Sequence, residues 1–513
     1  MFLKKVTIAV SVVGATLVGL SGCAIQPQPF NRDDITSFAQ SDQREIMAQQ
    51  EPINAPVTLA QAIARAIKYN LDARISVMEE ALSRNELSMA KMGLLPSVVA
   101  SAGYTWRSNP DSSNSHTVGG TDSPSYTYSD QTNTRNADLT LTWNILDFGV
   151  SYYQANQQAD RQTIAGEKKR RVLQNLIMEV RSTYWRAAAA SIMQARVDTA
   201  LENARTALTK LQQVIDERVG DPLDAYRGQK ALLETIVQLD SIREDMESAK
   251  PSLSSLMGLR PGTPFTLAAT AEDTFRAPAF NLPLETLEQA AVQLRPELRE
   301  AAYEERISLL ETKKAFARMF PGLELSAGLN YTSNRFKEHG SWRSAGSFVT
   351  WNLFNLLTGP AQMEMAEAQK DISHLRRLSL SLAVLTQLHV AYRNHHAAIR
   401  QYDYAKRLWV LSKVIAKHTR QSEENKSESL LEKMRTEINE VQTEMRFFEA
   451  YSGAQNGLAR IYASLGLDPL PETLEDTSVE GLAKAVASTL TDWEKGVFPW
   501  VQPEGADAAE VAQ

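Results

Sequence analysis

Between Pro96 and Phe148 the chain alternates. Val98, Ala100, Ala102, Tyr104 and Trp106 fall on one side of a first segment, and Ser101, Gly103, Thr105 and Arg107 on the other. In a second segment Ala137, Leu139, Leu141, Trp143 and Ile145 oppose Asn136, Asp138, Thr140, Thr142 and Asn144. A period of two belongs to strands, whose successive side chains point to opposite faces, so a β-hairpin with one apolar and one wet face is predicted over 97–147. A strand of a membrane-spanning barrel needs about 9–11 residues, apolar toward lipid and polar toward the lumen, with aromatics near its ends. Both segments meet that need, and so would a half-buried hairpin in a soluble sandwich. Ser108 to Arg135, rich in Ser, Thr, Asn, Asp and Gly, is expected to be a mobile external loop.

Around the hairpin the period changes to that of helices. Leu59, Ile63, Ala66, Ile67 and Leu71 predict a helix over 58–92, which ends before Gly93 and Pro96. From about Ser151, Val197, Leu201, Ala204, Leu208, Leu211 and Ile215 recur at the 4-3-4-3-4 spacing of a coiled-coil seam, with Ala200, Ala207 and Val214 as a second stripe beside it. Two adjoining seams call for neighbours on both sides, as in a ring of helices; one wide stripe facing a single core is the other reading. Unbroken from Ser151 to Arg218, such a helix is on the order of 100 Å long. The chain turns at Val219-Gly220-Asp221-Pro222 and returns through Leu232, Ile236, Leu239, Met246, Leu253 and Leu256.

The pattern occurs twice. An offset of 321 − 96 = 225 sets Ser101-Ala102-Gly103-Tyr104 on Ser326-Ala327-Gly328-Leu329 and Arg74 on Arg299. After the hairpin tip the offset becomes 351 − 143 = 208, setting Trp143-Asn144 on Trp351-Asn352, Tyr184 on Tyr392 and Gly258-Leu259 on Gly466-Leu467. The second hairpin is shorter only at its tip, where external loops tolerate deletion. The expected organisation is repeat 1 over 57–262 (hairpin 97–147, long helical hairpin 151–257), a Pro-punctuated connector over 263–282, and repeat 2 over 283–470 (hairpin 322–355, helical hairpin 360–465). The acidic stretch 471–513 reads as a loosely attached tail.

Met1 to Leu20, with Lys4-Lys5 before an apolar run, reads as an export signal over 1–22. It ends in Leu20-Ser21-Gly22-Cys23, which resembles a bacterial lipobox and implies cleavage before Cys23, a diacylglycerol on its thiol and an acyl chain on its amine. Ala24 follows rather than an aspartate, which favours the outer membrane, and buried acyl chains at about 0.8 kcal/mol per methylene would make attachment permanent. Residues 23–56, with Pro27, Pro29, Pro52 and Pro56, are expected to form an extended lipidated tether. Cys23 is the single cysteine, so disulfides within the chain and CxxC sites are excluded. A net charge of −7, with bases scattered among acids, argues against a nucleic-acid partner.

The repeated helix, hairpin and long-helix unit, Leu94-Leu95-Pro96 before the first strand, Trp143 to Gly149 after the second, and the lipobox together resemble the TolC-like outer-membrane efflux proteins. The resemblance covers roughly 58–469. It implies a mixed α and β membrane protein: a homotrimer in which each chain gives four strands to a shared 12-stranded transmembrane β-barrel and four helical strands to a periplasmic α-helical barrel. Its implied partners are outer-membrane lipid, a periplasmic adaptor and an inner-membrane pump of RND or ABC type. Independently, four strands cannot close a barrel alone, since the smallest use about eight and an open edge in lipid is forbidden.

The family carries acidic residues at a closed periplasmic mouth. By position Glu432 matches, with Asp224 its pseudo-symmetric partner (432 − 224 = 208), and Arg227 and Arg435 pair in the same way. Both acids also read as helix caps, in Asp221-Pro222-Leu223-Asp224 and Ser429-Leu430-Leu431-Glu432. Val219, Gly220 and Leu223 are candidates for adaptor contact, or a plain helical turn. The chain departs from the family in Asn355-Leu356-Leu357, in the short spacer before Leu223-Asp224, and in Asn425-Lys426-Ser427-Glu428, which lacks glycine.

There is no GxSxG, P-loop or HExxH; no cofactor, metal or catalytic residue is expected. His395 and His396 point about 100° apart on a helix, and His389 and His396 are two turns apart, too far to share a metal. The expected function is the outer-membrane exit duct of an efflux or secretion system. The alternatives are a duct for type I protein secretion and a closed envelope-spanning scaffold.

Overall fold

A computed structural model describes residues 28–48, 50–114, 118–120, 125–217, 222–268, 275–278, 280, 282–424, 430–470, 476–494 and 497–498. The chain divides into two units, Met1–Pro52 and Ile53–Gln513. Cys23 and the signal lie outside the described residues. In the first unit the expected extended tether is helical in its middle, α1 (Arg32–Ala48). Asn31 and Asp34 cap it reciprocally, the Asp34 amide donating to Asn31 Oδ1 at 2.8 Å and the Asn31 amide to Asp34 Oδ2 at 3.0 Å. No proline stands between Pro29 and Pro52 to prevent it.

The second unit runs α2 (Leu59–Tyr69), α3 (Leu71–Met92), β1 (Ser97–Trp106), β2 (Asp111–Ser113), β3 (Thr127–Asp130), β4 (Asn133–Asn144), α4 (Ile145–Asp216) and α5 (Pro222–Leu256). It continues through α6 (Leu284–Leu294), α7 (Pro296–Ala317), β5 (Gly322–Thr332), β6 (Ser341–Thr350), α8 (Phe354–Glu424), α9 (Leu430–Leu465) and α10 (Val479–Glu494). At 72 and 71 residues, α4 and α8 each run about 110 Å. Helix α4 starts six residues earlier than expected because the Asn144 side chain accepts from the Leu146 and Asp147 amides at 3.0 and 3.3 Å.

Three rows of four elements share one order. The antiparallel sheet runs β1-β4-β5-β6. Next to it the helices pack as α3-α4-α7-α8, and beyond that as α5-α4-α9-α8. The seams explain this order. Val197, Leu201, Ala204 and Leu211 of α4 are buried, with Leu211 against α5 at Gly228, while Ala200 in the second stripe meets α9 near Ile438 and Val441. The outer members of each row have one long neighbour and leave a stripe bare. Leu71, Ile75, Met78, Leu82 and Met89 of α3 are exposed at heptad spacing, as are Tyr404, Leu408, Leu411 and Ile415 of α8.

Directly paired residues share a sheet face, so register sorts the side chains. Val98 pairs Leu141, Ala100 pairs Leu139, Leu139 pairs Leu329 and Trp143 pairs Leu325, all on one apolar face. Ser101, Asp138, Asn330 and Trp342 lie on the other. The hairpin tip differs from the mobile loop expected over 108–135. β2 pairs with β3, β4 begins at Asn133, and the two tips are tied by Asn334 Nδ2 donating to the Ser129 carbonyl at 2.9 Å and a Tyr128–Phe336 stack at 6.5 Å.

The C-terminal stretch is also corrected, because α10 is packed rather than loose. Val479, Leu482 and Ala483 are buried with Ala64 and Tyr69 of α2, and Trp493 lies 4.8 Å from the Tyr462 ring. Its helical period was visible, but the long-range partner face on α2 was not.

Candidate functional site

The two helical hairpins end where α4 turns into α5 and α8 into α9. Residues 218–221 and 425–429 lie outside the described residues, and with them Val219, Gly220 and the capping positions Asp221 and Ser429. Leu223 stands exposed in the first turn of α5. One residue on, Asp224 meets Arg227 at 3.4 Å, with side chains 75% and 70% exposed. Ion pairs that open to water are worth a few tenths of a kcal/mol. Glu432 stands in the first turn of α9, its side chain outside the described residues, and Arg435 is exposed one turn on. The structure thus joins Asp224 to Arg227 and describes no contact from Glu432.

Further from the tips the hairpins are tied together. Arg196 of α4 donates to Glu440 of α9 at 3.1 Å and also pairs with Glu444, while Arg420 of α8 reaches Glu440 at 2.9 Å. The carboxylates are 9% and 5% exposed, so their charges depend on these arginines. Beside them Thr199 and Asn203 face Ile438 and Val441 across an open cleft of about 400 Å³. Sequence reading missed this tie. The signal was present: at the 208 offset Glu440 and Glu444 fall on Leu232 and Ile236, so acids replace apolar seam residues in the second hairpin.

Toward the sheet, a second charged layer joins the repeats. Arg170 is held between Asp468 and Glu167, each at 2.6 Å, and Gln174 donates to Asp468 at 2.8 Å. Burial works against the Arg170 charge, but the two carboxylates outweigh it and raise its pKa above the ordinary value. Asp160, buried on α4, receives Arg306 of α7 at 3.0 Å.

The histidines divide. His389 meets Glu288 at 2.5 Å, and His396 lies 4.5 Å from the Tyr392 ring. His395 is 1% exposed, and burial first, then the neighbouring His396, lowers its pKa to about 4. Among the described residues no His, Cys, Asp and Glu group has the arrangement of a metal site.

A sheet of four strands crowned by two helical hairpins of this length is the fold of outer-membrane channels. The chain is similar to the open-state MtrE outer membrane channel of Neisseria gonorrhoeae (17% identity, TM-score 0.63, covering 80% of this chain and 88% of that one). It is likewise similar to the CmeC outer membrane channel of Campylobacter jejuni (15% identity, TM-score 0.62, covering 90% and 97%). In sequence it is 21% identical over 394 residues to Nodulation protein T of Rhizobium leguminosarum bv. trifolii, covering 72% of this chain and 78% of that protein. Over residues 287–467 the chain matches the outer membrane efflux protein family, in agreement with the TolC-like resemblance of its repeats. That family is one of channels rather than enzymes.

Proposed function

We propose that three copies of the chain close into one conduit, the outer-membrane exit duct of a tripartite efflux system, anchored by lipid on Cys23. The observation that carries this reading is the shared order of the three rows, each four members long and bare at both ends. A bare edge strand presents a line of backbone N–H and C=O groups, each costing several kcal/mol in hydrocarbon. Copies of the same chain satisfy both edges at once, β6 against the next β1, while the bare seam of α8 meets those of α3 and α5. Three copies give twelve strands.

The sheet's apolar face has the height a bilayer requires. Trp143 and Arg135 stand 143 − 135 = 8 residues apart on β4, about 26 Å along the strand, close to the apolar band of about 25 Å in outer-membrane barrels. The hairpin tips then reach toward an adaptor and an inner-membrane pump of RND or ABC type. Asp224, Arg227, Glu432 and Arg435 are proposed to ring the closed mouth, with Val219, Gly220 and Leu223 offered to the adaptor. The test is twofold. Purified full-length protein should have trimer mass by light scattering in mild detergent and conduct ions in planar bilayers. A monomer, or a trimer that never conducts, would exclude the duct; the second result would leave a closed scaffold.

A further inference from the structure

The four strands of the main sheet carry four charged side chains, and these are segregated. Asp138 and Glu324 pair with Asn330 and Asn144 on the polar face. Arg135 and Arg343 stand on the apolar face, where Arg135 pairs with Tyr104 and Arg343 with Leu329. No acid shares that face on any of the four strands. Both arginines also sit toward the same end. Helices α3, α4, α7 and α8 join the sheet at the other end, so counting from there Arg135 is 144 − 135 = 9 residues along β4 and Arg343 is 350 − 343 = 7 along β6. Tyr104, Trp106 and Tyr331 stand at the same end and on the same face, where amphipathic rings mark a membrane interface. Both guanidiniums are exposed, and among the described residues neither has an ion-pair partner.

A guanidinium on an apolar sheet face is unfavourable in hydrocarbon, tolerated at an interface, and favoured only opposite an anion. Its planar fork matches phosphate oxygens two at a time. We propose that Arg135 and Arg343, flanked by Tyr104, Trp106 and Tyr331, bind the phosphate groups of an anionic lipid headgroup in the outer leaflet. The inference rests on the reading of this sheet as membrane-spanning, with its helix-free end outward. It adds a ligand, and a means of fixing the sheet's depth and polarity, that the duct itself does not require. The partner is a lipid and not free phosphate, because the apolar strand positions below the arginines offer acyl chains a continuous surface.

The experiment uses the full-length protein in mild detergent, with native mass spectrometry as readout. The probes are bisphosphorylated lipid A, the same lipid with its phosphates removed, and inorganic phosphate as competitor. The wild type should retain the bisphosphorylated lipid about tenfold over the dephosphorylated one. In Arg135→Gln/Arg343→Gln that preference should fall to within about twofold, while trimer mass and conductance persist. Raised salt should weaken retention of the phosphorylated lipid by the wild type, a check that needs no substitution. Equal retention by wild type and double variant overturns the site and leaves the duct standing. Displacement of the lipid by millimolar inorganic phosphate overturns the choice of a lipid. Failure of the wild type to enter a bilayer overturns the membrane-spanning reading and the site with it.

Discussion

A Cβ on Gly258 would stand 2.6 Å from the carbonyl oxygen of Tyr69, and a Cβ on Gly466 would stand 2.6 Å from that of Leu294. The two contacts are related by the same offsets as the sequence repeat, 466 − 258 = 208 and 294 − 69 = 225. Each glycine follows a long returning helix, holds a positive φ (71° and 74°) and lets the chain touch the end of a short helix. The short helix breaks there, at Asn70 and at Arg295, before α3 and α7 begin.

Alanine at either glycine meets both a strained φ and a backbone atom that cannot move aside. Gly258→Ala and Gly466→Ala are each expected to cost about 2–4 kcal/mol. Gly262 is the control: its φ is 89°, but a Cβ there meets open space, so Gly262→Ala should cost only the backbone strain, about 1 kcal/mol. Thermal unfolding of the three purified variants checks the order, and equal losses at all three would remove the close approach as the cause.

The tie at Glu440 is expected to hold the two hairpins side by side. Arg196→Ala leaves Glu444 without that arginine and Glu440 with Arg420 only. Because the arginines are 40% and 47% exposed, water offsets part of the loss, and a cost of about 1–2 kcal/mol is expected rather than the 3–5 of a fully buried pair. Limited proteolysis between Asp216 and Leu232 should accelerate in Arg196→Ala and less so in Arg196→Lys. Unchanged cleavage would mean that the apolar seam alone holds the hairpins.

Much of this fold was legible because its elements are long and periodic. Leu139 and Leu141 against Thr140 and Thr142 declare a strand, and the Val197 to Leu211 seam declares a coiled coil, without reference to anything distant. What escaped depends on distant partners or on a single cap. Asn31 and Asp34 start α1 inside a stretch whose flanking prolines suggested extension. Helix α10 lies against α2, more than 400 residues away in sequence, and only tertiary contact shows that Leu482 and Ala483 are core. At the candidate site the repeat relates Asp224 to Glu432 and Arg227 to Arg435, and the structure sets Asp224 against Arg227. Glu440 was overlooked because it departs from the repeat, where the offset puts Leu232.

His395 should make stability fall on acidification. In the unfolded chain its imidazole protonates near 6.5, whereas in the fold burial holds it to about 4. The native state therefore binds fewer protons than the unfolded state between these values, so stability is fully present above pH 6.5 and is lost as pH falls toward 4. The loss amounts to roughly 2–3 kcal/mol. His395→Leu should flatten this part of the profile when unfolding is followed from pH 7 to pH 4.5. A variant that keeps the full slope would assign it to other groups.

The pairs at the hairpin tips admit a cleaner test because one of them is so exposed. Asp224 and Arg227 contribute a few tenths of a kcal/mol to the isolated chain at most, so Asp224→Ala with Arg227→Ala should leave the unfolding midpoint within about a degree. Any rise in single-channel conductance in those variants then reports the mouth of the assembled conduit and not a loosened fold. Glu432→Ala with Arg435→Ala should raise conductance further if Glu432 carries the closed state, as its position in the repeat implies. Conductance unchanged in both pairs would leave these residues as helix-start caps, and closure would then fall to the Arg196–Glu440 tie, where Arg196→Ala becomes the variant expected to open the channel.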